Sequence, residues 1–191
     1  EGERAGDFDY YVLSLSWSPT WCTLEGEARN SPQCDRDLGW VLHGLWPQYE
    51  QGYPSYCNTT ARDPSKRETA AMEDIMGTDG AAWYQWKKHG RCAGLSASDY
   101  LATARDAYAK ITRPEVFRKL TKDVKLPAAL IEDAFMKENA GLDKNEITVT
   151  CKASRIQEVR ICLTKDLEPR RCGADVIRDC TLEDALFEAI E

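Results

Sequence analysis

Histidine occurs only twice in this 191-residue chain, and each copy is followed by glycine inside a tryptophan-rich segment. The first segment reads Trp40-Val41-Leu42-His43-Gly44-Leu45-Trp46-Pro47 and the second Trp83-Tyr84-Gln85-Trp86-Lys87-Lys88-His89-Gly90. Imidazole is the side chain whose ordinary pKa lies nearest neutrality, so two of them can divide proton removal and proton donation within one reaction. The cations Lys87, Lys88 and Arg91 beside His89 add positive charge for an anion. These residue types suit transfer at a phosphoryl group with no metal in attendance.

Each segment also has a plainer reading. If residues 81–88 are helical, Gln85, Lys88 and His89 fall at i, i+3 and i+4 and share one face. Trp83 and Trp86 then project to the other side and anchor the helix in the core. The plainer reading is a surface Lys-Lys-His end that complements the helix dipole. His43 lies in an apolar strand, where a histidine is commonly a hydrogen-bonded core residue, although Gly44 beside it permits close approach of a ligand. Trp46 either packs in the core or stacks on a base.

The elements that must position these residues follow from periodicity. Tyr10 to Trp17 alternates as a strand with one buried face, and Trp40 to Leu45 reads as a more buried strand. Trp46 and Pro47 then open an aromatic loop, and residues 48–64, rich in Gly, Pro, Ser, Asn and Tyr, continue it. Lys66 to Met76 predicts a helix ending near Gly77. Ser98 predicts the N-cap of a helix running to about Ile111, with Tyr100, Leu101, Ala104 and Tyr108 as its apolar stripe. Pro114 and Pro127 suit the first turns of two more helices, with Gly141 a stop after the second. From Glu146 onward, Ile147, Val149 and Cys151, then Ile156, Val159, Ile161 and Leu163, look like an antiparallel pair. Strands and helices without regular alternation predict an α+β fold, a central antiparallel sheet packed with several helices, in a single domain over 1–191.

Composition bounds the function. Hydrophobic residues make up 42% of the chain and charged residues 30%, as in a soluble globular protein. No apolar run approaches the roughly 18 residues of a membrane span, so no membrane partner is expected. No cationic-then-apolar leader opens the chain, so an exported protein would be numbered here in its mature form. Eight cysteines point to disulfides and an oxidising compartment, whether secreted, periplasmic or an endomembrane lumen. No Cys-x-x-Cys pair occurs, and neither histidine has a cysteine at ligand spacing, which argues against zinc. A net charge of -7 disfavours nonspecific grip on long nucleic acid but not local charge around one phosphate.

Taken together, the segments resemble the ribonuclease T2 family of acid endoribonucleases. His43-Gly44-Leu45-Trp46-Pro47 is similar to the family's first active-site segment, and Gln85-Trp86-Lys87-Lys88-His89-Gly90-Arg91-Cys92 to its second. Phe8 to Trp17 resembles the family's first strand, and Gly52-Tyr53-Pro54-Ser55-Tyr56-Cys57 its substrate loop. The resemblance implies four disulfides, Cys22–Cys34, Cys57–Cys92, Cys151–Cys180 and Cys162–Cys172, each contributing roughly 2–4 kcal/mol. It implies cleavage of single-stranded RNA, by a monomer without cofactor or metal, through attack of the ribose 2′-hydroxyl on the adjacent phosphorus. His89 would be the base, His43 the acid, and Lys88 the stabiliser of the phosphorane. Trp46 and Tyr53 would face the base, and Tyr84 stands where many relatives place a further phosphate-binding histidine.

Gln85 departs from the family pattern, which has glutamate there. The amide cannot exchange a proton near neutrality yet can donate a hydrogen bond to phosphate. A natural variant and a deliberate Glu-to-Gln change both fit, the intact neighbouring motif favouring the second. The alternative function is therefore a weakened or inactive secreted RNA-binding or effector protein on the same scaffold. A carbohydrate-binding module would explain the tryptophans but leaves the spacing of Gln85, Lys88 and His89 to coincidence. Asn58-Thr59-Thr60 forms an N-glycosylation acceptor in the loop.

Overall fold

A computed structural model describes residues 3–191. Its centre is one sheet in the order β2-β1-β5-β6-β3, with β4 added on β5. Strand β1 (Tyr10–Trp17) pairs antiparallel with β2 (Trp40–Gln48) on one side and with β5 (Arg155–Leu163) on the other. β3 (Val124–Leu126) pairs with β6 (Ala185–Phe187), and β4 (Ile147–Lys152) forms the expected antiparallel pair with β5. The sheet is antiparallel except where β6 meets β5 in parallel at Arg155↔Leu186.

One buried face was expected for β1, but all eight of its residues are buried. Its central place in the sheet explains this, because both faces are covered. Tyr11, Leu13, Leu15 and Trp17 point into the large core, while Tyr10 and Val12 join a second cluster with Cys162, Cys172 and Val176. The alternation that looked half-polar in sequence therefore separates two packed faces, with Ser14 and Ser16 small enough to leave room on the second.

β2 runs three residues beyond its predicted end, so Trp46 and Pro47 are strand residues, not the start of a loop. Its pairing with β1 contains a bulge, because Ser14 faces Gly44 while Leu15 faces Leu42. His43 is thus the extra residue. Leu42 and Leu45 can both face the large core while His43 and Trp46 face the other side, which strict alternation would forbid.

Helices cover the core face. Beyond the short α1 (Ser18–Trp21), the predicted helix over 66–76 is two helices, α2 (Lys66–Ala70) and α3 (Glu73–Met76). Arg105 takes the Ala71 carbonyl at 2.9 Å between them, and Gly77 ends the second with φ of +92°. Helix α4 (Asp79–Lys88) is capped by Thr78 and carries the second histidine segment. Helix α5 (Ala97–Lys110) is capped by Ser96 rather than Ser98, because the Ser96 hydroxyl accepts from the Asp99 amide three residues on. Its predicted stripe is buried at Tyr100, Leu101 and Ala104, while Tyr108 is half-buried. Pro114 precedes only a 3-10 turn (Glu115–Lys119), and Pro127 lies two residues before α6 (Ala129–Glu138). Asn139 caps α6, and Gly141 lies just beyond in a left-handed turn.

The eight cysteines pair Cys22–Cys34, Cys57–Cys92, Cys151–Cys180 and Cys162–Cys172, leaving no free thiol. No thiolate remains for zinc. Among the described residues, no helix is long and apolar enough to cross a membrane.

Candidate active site

The sheet face that carries Val12, His43 and Trp46 borders a cavity of about 470 Å³, walled on one side by α4. His43, Trp46, Gln48, Tyr53, Tyr84, Gln85, Lys88 and His89 all line it, so both histidine segments meet at one place. β2 supplies the first three residues, the following loop supplies Tyr53, and α4 with its C-terminal end supplies the rest. Two links draw the loop to the helix end: the Cys57–Cys92 disulfide and a hydrogen bond from the Tyr56 amide to the Lys88 carbonyl at 2.8 Å.

Trp46 is the keystone between the two imidazoles. Its ring stacks on His89 at 5.2 Å between centroids and meets His43 edge-on at 5.6 Å. Its indole N–H donates to Gln85 Oε1 at 2.7 Å. Because that N–H can only donate, the amide oxygen must face it, which leaves the Gln85 NH2 group for the cavity. Gly44 makes the contact possible, since a Cβ there would overlap both Gln85 Oε1 and Trp46 Nε1.

The two histidines sit in contrasting environments. His89 is buried, at 6% exposure, and its Nδ1 has no hydrogen-bond partner among the described residues. Burial, assisted by the Lys88 ammonium and by His43, pushes its pKa down to about 3, so the imidazole is neutral across ordinary pH. His43 is half-exposed, and its Nε2 lies 3.5 Å from Glu158 Oε1. Glu158, itself buried, also holds Arg160 at 2.6 Å, and that guanidinium lies 5.3 Å from the centre of the Trp46 ring.

The opposite wall is absent from the sequence motifs. Gln157, Glu158 and Arg160 come from β5, while Asp175, Val176 and Arg178 come from a strap between Cys172 and Cys180. Disulfides to Cys162 and Cys151 pin both ends of that strap. Asp175 accepts from the Gly52 amide at 2.7 Å, joining the strap to the loop after β2 beside the cavity. Gln157 is the extra residue of a second bulge, where Thr150 faces Glu158 but Cys151 faces Ile156. Arg155, Glu158 and Arg160 interrupt the apolar positions of β5, but their spacing does not say which of them face a cavity.

Trp83 departs from expectation. Only Trp86 is buried and donates to Asp63 at 2.9 Å; Trp83 is 40% exposed. The buried arc of α4 is Ala82, Gln85 and Trp86, and Trp83 lies roughly 100° round the axis from Ala82.

An α+β sheet stapled by four disulfides, with two histidines, a lysine and a glutamine around one polar cavity, defines a class that known proteins identify. The profile described as the Ribonuclease T2 family matches residues 8–172, and the chain belongs to that family. A ribonuclease of Aeromonas hydrophila is 44% identical over 111 residues, 58% of this chain and 50% of that protein. A probable ribonuclease of Haemophilus influenzae is 30% identical over 178 residues, 86% of this chain and 61% of that protein. The chain thus spans between half and two thirds of these relatives' length. Among solved structures, trichomaglin, described as an S-like ribonuclease, matches with a TM-score of 0.74 at 20% identity over 97% of this chain and all of that one. An RNase-related protein from Calystegia sepium matches at 0.70 and 21% identity over 96% of this chain and 97% of that one. These two structures share the fold.

Proposed function

We propose that this chain is a metal-independent endoribonuclease that cleaves single-stranded RNA through the ribose 2′-hydroxyl. The observation that carries the proposal is the asymmetry of the two imidazoles around one cavity. His89 is held neutral by burial, as a base must be, and His43 faces a carboxylate that can pair with its protonated form. His89 accepts the 2′-hydroxyl proton as that oxygen attacks phosphorus. His43 then protonates the departing 5′-oxygen, leaving a 2′,3′-cyclic phosphate. Lys88 and the Gln85 NH2 group face the charge that builds on the phosphorane oxygens. DNA lacks the nucleophile and is not cut.

Tyr53, with 49% of its surface exposed, offers a ring to the base beside Trp46, and stacking on it tolerates all four bases. A monomer working in an oxidising compartment, secreted, periplasmic or lumenal, accords with four intrachain disulfides. Asn58 is exposed, as an N-glycan acceptor must be.

The test is incubation with the dinucleotide UpA in EDTA. A cyclic-phosphate product, lost in His43→Ala, is expected. The second reading, a weakened or inactive binder, rests on Gln85, and the "Ribonuclease-like storage protein" of Panax ginseng, 27% identical over 122 residues, shows the scaffold under such a name. No product from the parent, with cleavage restored in Gln85→Glu, would select it.

The pH dependence follows from His89. The base works when neutral, so activity is lost on its acid side, and the acid limb of kcat/KM is expected near pH 3 rather than at histidine's ordinary 6.5. A limb near 6.5 would mean that His89 is not the base. Thermal stability reports this poorly. Between 6.5 and 3 the unfolded chain binds more protons at His89, so stability falls with falling pH. Glu132, pushed up to about 7 mainly by burial, works oppositely: its contribution is present below 4.5 and is lost as pH rises through 7.

A further inference from the structure

Four aromatic side chains of this protein are partly exposed, on α4 and on the loop disulfide-linked to its end. Tyr53 is 49% exposed, Tyr56 48%, Trp83 40% and Tyr84 49%; the other large hydrophobic residues exposed to this degree are the aliphatic Val116, Leu130 and Leu182. Tyr53 and Tyr84 line the cavity, and the Tyr84 side chain beside Tyr56 pushes the Tyr56 phenol pKa up. On α4, successive residues turn about 100°, so the outer face leads away from the catalytic side chains in a fixed order. Passing outward from Gln85, the order is Lys88, Tyr84, Lys87 and Trp83. Cation and aromatic ring alternate along this arc. Asp63, the carboxylate beside Lys87, is held by Arg91 at 2.8 Å and by the Trp86 indole.

From this we infer that Tyr56, Tyr84 and Trp83, interleaved with Lys87 and Lys88, form an extended track for the nucleotides that flank the scissile bond of single-stranded RNA. The inference rests on the ribonuclease reading. Three features choose RNA as the occupant. The track is continuous with the cavity through Tyr84 and Lys88. Its alternation of ring and ammonium matches the base and phosphate repeat of a single strand. It also concentrates positive charge on a chain whose net charge is -7.

Trp83 is not among the buried residues of α4, so its ring is open to an occupant. Tyr56 sits in a left-handed backbone conformation, φ of +50°, a position that favours glycine or asparagine. A tyrosine at a position that favours glycine or asparagine agrees with a role for the ring.

The experiment compares the parent with Trp83→Ala and Tyr56→Ala, two exposed positions outside the dinucleotide cavity. Binding of all-2′-deoxy oligonucleotides of two, four, six and eight residues is measured by fluorescence anisotropy at fixed salt, and cleavage of the matching RNA series is measured alongside. In the parent, affinity and kcat/KM are expected to rise beyond the dinucleotide. Each substitution should weaken octamer binding by about 5- to 30-fold, as loss of one stacked base would. Dinucleotide binding and UpA cleavage should be unchanged in Trp83→Ala. Octamer affinity equal to the parent's in both variants overturns the inference, as does an equal loss on dinucleotide and octamer. A change in oligomeric state with unchanged oligonucleotide affinity overturns it too, and marks the patch as a contact between copies. The deoxy series needs no turnover, so an inactive protein that still shows the length effect separates failure of the ribonuclease reading from failure of the track.

Discussion

Alanine at position 43 is expected to slow RNA cleavage by about 10²–10⁴-fold, and to be nearly harmless when the leaving group needs no proton. Expulsion of a ribose 5′-oxygen as an alkoxide is unfavourable, so the acid matters most there. Uridine 3′-(4-nitrophenyl phosphate) expels 4-nitrophenolate, a stabilised anion, so the same 2′-hydroxyl attack forms the cyclic phosphate without protonation of the leaving oxygen. His89→Ala should lose activity on both substrates, because the nucleophile must shed its proton in either case. The assignment comes from the two environments. A buried imidazole held near pKa 3 cannot arrive protonated, whereas His43 has Glu158 at 3.5 Å as a partner for its charge. Recovery by His89→Ala on the activated substrate, with none by His43→Ala, would reverse the roles. His43 is half-exposed, so its truncation leaves the fold intact. His89 is buried beneath Trp46, so His89→Gln, which keeps most of the volume, guards against reading a collapsed cavity as lost chemistry.

How much of this site the sequence discloses depends on which strand carries it. The motif half is legible because its chemistry is local: Gln85, Lys88 and His89 lie within one helical turn, and His43, Gly44 and Trp46 within four residues. The facing wall is not legible. Glu158 and Arg160 reach the cavity only because β5 pairs with β1, which places Glu158 opposite Ser16 and Arg160 opposite Ser14. No pattern near Glu158 foretells a partner more than a hundred residues away. The bulge that turns His43 toward the cavity is only half legible: Gly44 hints at an irregular strand, but the register shift against β1 is needed to locate the extra residue. Cysteine parity predicts disulfides but not that two of them pin the strap carrying Asp175 and Arg178. The misplaced helix start reflects a competition between Ser96 and Ser98, both plausible caps, that the Asp99 amide settles for Ser96. Two tryptophans three residues apart look alike in sequence, but the buried arc of α4 holds Trp86 and ends before Trp83.

Gly44→Ala is the second substitution with a large expected effect, and its cause is steric. The added methyl would fall on Gln85 Oε1 and Trp46 Nε1, the two atoms joined at 2.7 Å. Neither can yield cheaply, since Trp46 is stacked on His89 and Gln85 is buried on α4. The bond should break and Trp46 should shift off the imidazole, freeing the Gln85 amide to rotate. Loss of one positioned donor of this kind costs about 10²–10³ in turnover, with about 1–3 kcal/mol of stability lost to overpacking. Gly80→Ala, where nothing lies within 4 Å, is the control that should leave UpA cleavage unchanged. Gln85→Glu separates the two roles of the side chain. A carboxylate still accepts from the Trp46 indole, so the clamp survives, but it can donate to phosphate only when protonated. Its rate relative to the parent should therefore decline as pH rises through the carboxylate range. A ratio flat with pH would deny Gln85 its donor role, and a parent-like Gly44→Ala enzyme would show that the clamp to Trp46 does not govern turnover.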